Sequence, residues 1–209
     1  MTTFTQNVLH PPPVSGVLTS VMNLTFDQKL DLVTLLQPET PLESLLISLP
    51  EFHAGYNWGT PRYGHPEGKV GLHVREVLDN VDRLNLDPVS RHQLRLIAIA
   101  HDTFKFRENK NHQMFHGKLA RVFMEQHIGE RFLLDIIELH DEAYYIWKCL
   151  EMEKQPETAH QRLEKLMEGL GENMPLFYLF FKSDTETGDK IQTPLRWFER
   201  LMRERGMGI

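Results

Sequence analysis

One cysteine, Cys149, stands among 209 residues. An intramolecular disulfide is therefore excluded, and a reducing compartment is the expectation. Basic residues are in deficit: 23 Lys and Arg face 29 Asp and Glu, for a net charge of -6 and an isoelectric point near 6.0. A broad nucleic-acid-binding face needs a basic excess, so that class is disfavoured. Long apolar runs are also missing. Nothing approaches the ~20 residues of a membrane span, and no membrane association is expected. Residues 1–6 are polar, with no charged start before an apolar run, so no signal peptide is expected and the cytoplasm is the predicted location. Period-2 strand alternation and internal repeats are absent too. What remains is an all-α fold of ordinary globular composition, 41% hydrophobic and 25% charged.

The helices announce themselves by their stops. Residues 1–20 contain His10-Pro11-Pro12-Pro13 and read as an irregular arm. Thr25 with Gln28 forms a capping-box pattern that opens a helix through Leu36, which Pro38 and Pro41 end; Leu42 to Leu49 reads as a second short helix. Residues 1–50 are thus an N-terminal arm with helices packing on the main domain, 51–209. Their Leu and Val content suits packing, docking of a partner, or pairing of two subunits as a homodimer. Glu51 to Lys69 is dense in Gly and Pro, mixed with Tyr56, Trp58, Arg62, Tyr63 and His65, and reads as one long functional loop. Helices are then expected over about 70–83, from Asp87-Pro88 to His101, 116–127, 130–140 and 142–153. Three more run from Pro156 to Gly169, from Pro175 to Asp184, and from Thr193-Pro194 to Arg205. A polar connection covers 109–115.

Eleven histidines are present, and their places matter more than their number. A helix buries positions i, i+3, i+4 and i+7. Leu94, Ile97 and Ala98 are followed by His101 at i+7. Leu133, Ile136 and Ile137 are followed by His140, and Phe177, Phe180 and Phe181 by Asp184. His73 falls among Val70, Val74 and Val77, and His116 begins the face of Leu119, Ala120 and Phe123. Five helices thus each turn one metal-ligating side chain inward, and Asp102 beside His101 adds another. Burial of such groups is costly unless they are paired or metallated. Imidazole with carboxylate suits divalent transition metals (Mn, Fe, Co, Ni or Zn), one or two ions. His10, His92, His112, His127 and His160 lie in polar surroundings and read as surface residues.

This ordered set, His73, His101-Asp102 and a distant Asp184, resembles the signature of the HD-domain superfamily of metal-dependent phosphohydrolases. His116 and His140 match the two extra histidines of its dinuclear members. HDTFK resembles the HD-x-x-K form, with Lys105 as the lysine and Phe104 where a small residue is frequent. His65-Pro66-Glu67-Gly68 and Ser183-Asp184 with Gly188 resemble segments of the HD domains attached to bacterial tRNA nucleotidyltransferases. The resemblance spans about Arg62 to Lys190. It implies an HD-domain helical bundle hydrolysing a phosphate ester of a nucleotide or other small phosphorylated metabolite.

On that resemblance His73, His101, Asp102 and Asp184 hold a first ion, and Asp102 bridges to a second held by His116 and His140. His112 competes with His116. Asp102 and Lys105 are the catalytic candidates; Arg62, His65 and Lys105 bind substrate, with Lys69 as a further anion contact. Tyr56, Trp58 and Tyr63 are candidates for stacking on a base, and Arg121 and Lys190 are weaker substrate candidates. Asp141, beside His140, either orients a ligand from outside or lies on the helix surface. The same ligand pattern serves HD-fold di-iron oxygenases, and a regulatory module keeping a structural metal is a further alternative.

Overall fold

The computed structural model describes residues 28–108 and 115–207. Among them the chain is all-α: α1 (Leu32–Leu36), α2 (Pro41–Ser48), α3 (Pro50–Tyr56), α4 (Val70–Arg83), α5 (Pro88–Ala100), α6 (His116–Met124), α7 (Arg131–Leu139), α8 (Glu142–Glu151), α9 (Pro156–Leu170), α10 (Met174–Thr185) and α11 (Thr193–Glu204). Short 3-10 turns cover Lys105–Arg107 and Gly171–Asn173. The β-structure in these residues is one bridge between Arg62 and His65. None of these helices is long and apolar enough to cross a membrane.

Local chemistry explains the ends. Asp87 caps α5 through its carboxylate, which accepts from the Val89 and Ser90 amides, and Pro88 occupies the first turn. Three expectations need correction. The helix that ends at Leu36 begins at Leu32 rather than near Gln28, with Asp31 accepting from the Val33 and Thr34 amides. Gln28 precedes that helix, and Thr25 lies outside the described residues, as do the His10 arm and most of the 109–115 connection. Thr193 is the first helical residue of α11 rather than its cap. Glu51 to Lys69 is not loop throughout. Pro50 starts α3, because Phe52 and Tyr56 at i and i+4 both reach the core and stabilise the turn despite Gly55.

Gly55 has a packing reason. A Cβ there would lie 1.9 Å from the carbonyl oxygen of Thr103, so α3 presses on the backbone just after His101-Asp102. Gly55→Ala is expected to cost about 2–3 kcal/mol by overpacking and to lower the thermal midpoint by roughly 5–10 °C. A melt followed by circular dichroism checks this; an unchanged midpoint would mean the two segments separate freely.

The core gathers one hydrophobic cluster. Leu36, Leu46 and Phe52 from the first three helices share it with Val74, Ile97, Ile137, Phe177 and Phe198. Helix α4 packs on α1, α3, α5 and α10, and α5 also meets α7 and α10. Helix α8 lies between α9 and α11, and α6 pairs with α7. The C-terminal ends of α5, α7 and α10 thereby meet the first turns of α4 and α6.

Candidate metal centre

His73 projects from the interior of α4, His101 follows the last residue of α5, and Asp102 sits in the turn after it. His116 is the first residue of α6, His140 caps the C-terminus of α7, and Asp184 lies in the last turn of α10. All six residues are buried. The sequence-based ligand set is therefore brought together complete.

Asp102 is the hinge of the arrangement. Its Oδ2 lies 3.5 Å from His101 Nε2 and 3.7 Å from His73 Nε2. Its Oδ1 lies 3.3 Å from His116 Nε2 and 3.5 Å from His140 Nε2. Asp184 Oδ1 closes the first group at 2.8 Å from His73 Nε2 and 3.7 Å from His101 Nε2. His116 and His140 face each other, Nε2 to Nε2, at 3.1 Å. One carboxylate thus faces two pairs of imidazoles, one pair per oxygen.

The tautomers point the same way. The Nδ1 of His101 donates to the Ala98 carbonyl at 2.8 Å, and that of His140 to Ile137 at 2.8 Å. His116 Nδ1 lies 2.9 Å from Glu108 Oε2. A carbonyl or carboxylate only accepts, so Nδ1 carries a proton in each of these rings, and Nε2 is the atom left to bind a metal ion in exchange for any proton it holds. His73 Nδ1 is flanked by Thr187 Oγ1 at 3.4 Å and Glu67 Oε1 at 3.6 Å. Such outer partners orient metal-ligating histidines. Residue-type reasoning missed Glu108 and Glu67 in this role. Both lie outside regular helical faces, where spacing carries no signal.

Electrostatics separate the groups. Burial, helped by the Lys190 charge, pulls His73 down to about 4, so its ring stays neutral. At His140 burial acts in the same direction, but the Asp141 and Asp102 carboxylates outweigh it and push the pKa up to about 9. Burial would raise Asp102 and Asp184. The His101 and Lys105 charges instead hold Asp102 well below the usual carboxylate range, and Lys190 with the histidines does so for Asp184. The ammonium of Lys105 is 2.6 Å from Asp102 Oδ2, and that of Lys190 is 3.0 Å from Asp184 Oδ1.

The residues fit divalent ions. Asp102 Oδ1 and His101 Nε2 are buried without a hydrogen-bond partner, an expensive arrangement unless a cation satisfies them. A four-coordinate ion with bonds of about 2.1 Å separates neighbouring donors by roughly 3.4 Å. Most of the inter-ligand distances above cluster near that spacing.

A small cleft beside the first group is lined by Arg62, His65, Glu67, Gly68, Val70, His73, Asp102 and Lys105. All three substrate-binding candidates border it. His65 Nδ1 is 3.0 Å from Glu67 Oε1, and Arg62 pairs with His65 through two backbone hydrogen bonds across a turn that Gly64 makes at φ +81. Phe104 does not line the cleft. Its ring is buried beside Phe106 and Phe123, so the large residue faces the core.

Several weaker candidates lie elsewhere. Tyr56 is fully buried, and its hydroxyl donates to the Ile99 carbonyl, so it offers no stacking face. Lys69 reaches the Gln28 carbonyl at 2.5 Å instead of the cleft. Arg121 is taken by Asp135, Glu125 and Glu138. Lys190 is a counter-ion of Asp184. Trp58 and Tyr63 are exposed. Of the background histidines, His160 is exposed, His92 and His127 are partly so, and His10 and His112 lie outside the described residues.

No family model, curated protein or solved structure matches the chain. The centre is therefore identified from its own geometry: a helical protein with a buried histidine and aspartate cluster suited to binding metal.

Proposed function

We propose that this protein is a metal-dependent phosphohydrolase of the HD-domain type, acting on a nucleotide or other small phosphorylated metabolite. The observation that carries the proposal is Asp102, set between two histidine pairs beside a cleft bordered by Arg62, His65 and Lys105. A metal centre approached past cationic side chains suits an anionic ester.

His73, His101, Asp102 and Asp184 would hold one ion; His116, His140 and the second oxygen of Asp102 would hold another. Bound there, such ions supply Lewis acidity toward ester oxygens and a nucleophile from water near neutral pH. The chain's own groups do the rest. Lys105 and Arg62 draw the phosphate to the cleft; Lys105 acts as a point charge and Arg62 as a planar fork. Glu67 holds the His65 ring at the cleft by its Nδ1. Phe180, with its ring centroid 5.1 Å from that of His101, keeps one wall apolar and strengthens nearby charge interactions.

The test is phosphate release from a panel of nucleotides, phosphomonoesters and phosphodiesters after loading with Mn, Fe, Co, Ni or Zn. Activity is expected with at least one ion, and Lys105→Met is expected to lower kcat/KM about 10- to 100-fold, the worth of a charge-assisted contact. Absence of hydrolysis across the panel sinks the proposal. Oxygen uptake by the iron-loaded protein would instead point to di-iron oxygenase chemistry.

A further inference from the structure

We propose that Asp141 is a direct ligand of the second ion, a deepening that rests on the two-ion reading above. Asp141 stands at the N-cap of α8, where an aspartate ordinarily accepts from amides of the first turn. It makes no such hydrogen bond. Its Oδ2 is instead 3.5 Å from His116 Nε2 and 3.6 Å from His140 Nε2.

An outer, orienting carboxylate would need a back nitrogen to grip. Both are taken: His116 Nδ1 meets Glu108, and His140 Nδ1 donates to Ile137. Asp141 therefore addresses the same Nε2 side of both rings that Asp102 Oδ1 addresses. That oxygen, buried and without a hydrogen-bond partner, is an independent sign that a cation belongs at this place. The donors become Asp102 Oδ1, His116 Nε2, His140 Nε2 and Asp141 Oδ2, with the two histidine nitrogens 3.1 to 3.6 Å from each other and from both carboxylates.

Charge argues for the same assignment. Without Asp141 the second ion has two neutral imidazoles and a share of one carboxylate. With it, each ion has two imidazoles, a share of Asp102 and one carboxylate of its own, Asp184 or Asp141. The added oxygen tilts the second position toward harder ions such as Mn²⁺ or Fe²⁺.

The experiment is a titration of metal-free protein with Mn²⁺, followed by calorimetry and by elemental analysis after desalting. Wild type is expected to take two equivalents. Asp141→Asn, close in shape, is expected to keep one at wild-type affinity and bind the second about 100-fold more weakly or worse, with an unchanged circular dichroism spectrum. Two equivalents at wild-type affinity in the variant would overturn the assignment alone. Fewer than two in wild type would overturn the two-ion reading with it. Crystals of Mn²⁺-loaded wild type give a check that needs no variant. An anomalous peak between His116 and His140 is expected at bonding distance from Asp141 Oδ2, and a peak that Asp141 does not touch would refute the proposal.

Discussion

Replacing Asp102 with alanine is expected to abolish tight binding of both metal equivalents and to lower hydrolysis by about 10³-fold or more, since the lost group would serve both ions. Among the described residues no other has this double position. Oδ2 faces His73 and His101, and Oδ1 faces His116 and His140. Removing His116 should weaken one site, whereas removing Asp102 should empty both and leave Lys105 without its carboxylate partner. Asp102→Asn keeps the shape and removes the charge, so it separates ligand loss from cavity formation. Elemental analysis, activity and a thermal melt on both variants check the expectation. Two retained equivalents, or turnover near wild type, would rule out a bridging role.

The second large effect concerns stability. Arg95 and Glu43 are both buried, at 1% and 0% side-chain exposure, and meet at 2.9 Å between α5 and α2. Arg95 also donates to the Gln37 carbonyl at 3.2 Å and lies 3.3 Å from Glu39. Arg95→Ala leaves the buried Glu43 carboxylate with the Glu39 amide and the His92 ring but without its guanidinium, which is expected to cost about 3 kcal/mol and to lower the thermal midpoint by roughly 10 °C. The double replacement Arg95→Met with Glu43→Leu should recover most of that loss, because it removes both charges together. Midpoints of the single and double variants measure it. Equal losses in both would show that the pair contributes through packing rather than charge. Metal content is expected to stay at the wild-type value in the double variant, since neither side chain touches the centre.

These two effects differ in how far residue order foretells them. Helical arithmetic turns His101 inward and Asp102 stands beside it; its place between two sets of histidines is what the resemblance implies. Arg95 and Glu43 lie 52 positions apart on separate helices. A lone Arg at position 95 reads as a polar face until α2 is seen to cover it. Lys69 shows the reverse, since its charge in a Gly-rich stretch suggests a substrate contact but is spent on the Gln28 carbonyl.

By itself the sequence determined the all-α class, most helix limits and the inward placing of six histidine and aspartate side chains. Those depend on local rules: caps, proline in first turns, and a 3.6-residue period that carries a buried stripe into His101, His140 and Asp184. Tertiary structure alone decided that the five helices carrying these side chains converge on the Asp102 carboxylate. It also turned Phe104 into the core, buried Tyr56, and drew Asp141 away from its cap toward two imidazoles. The reason is physical. Periodicity states which face of a helix is buried, but which groups meet there depends on packing between segments far apart in the chain.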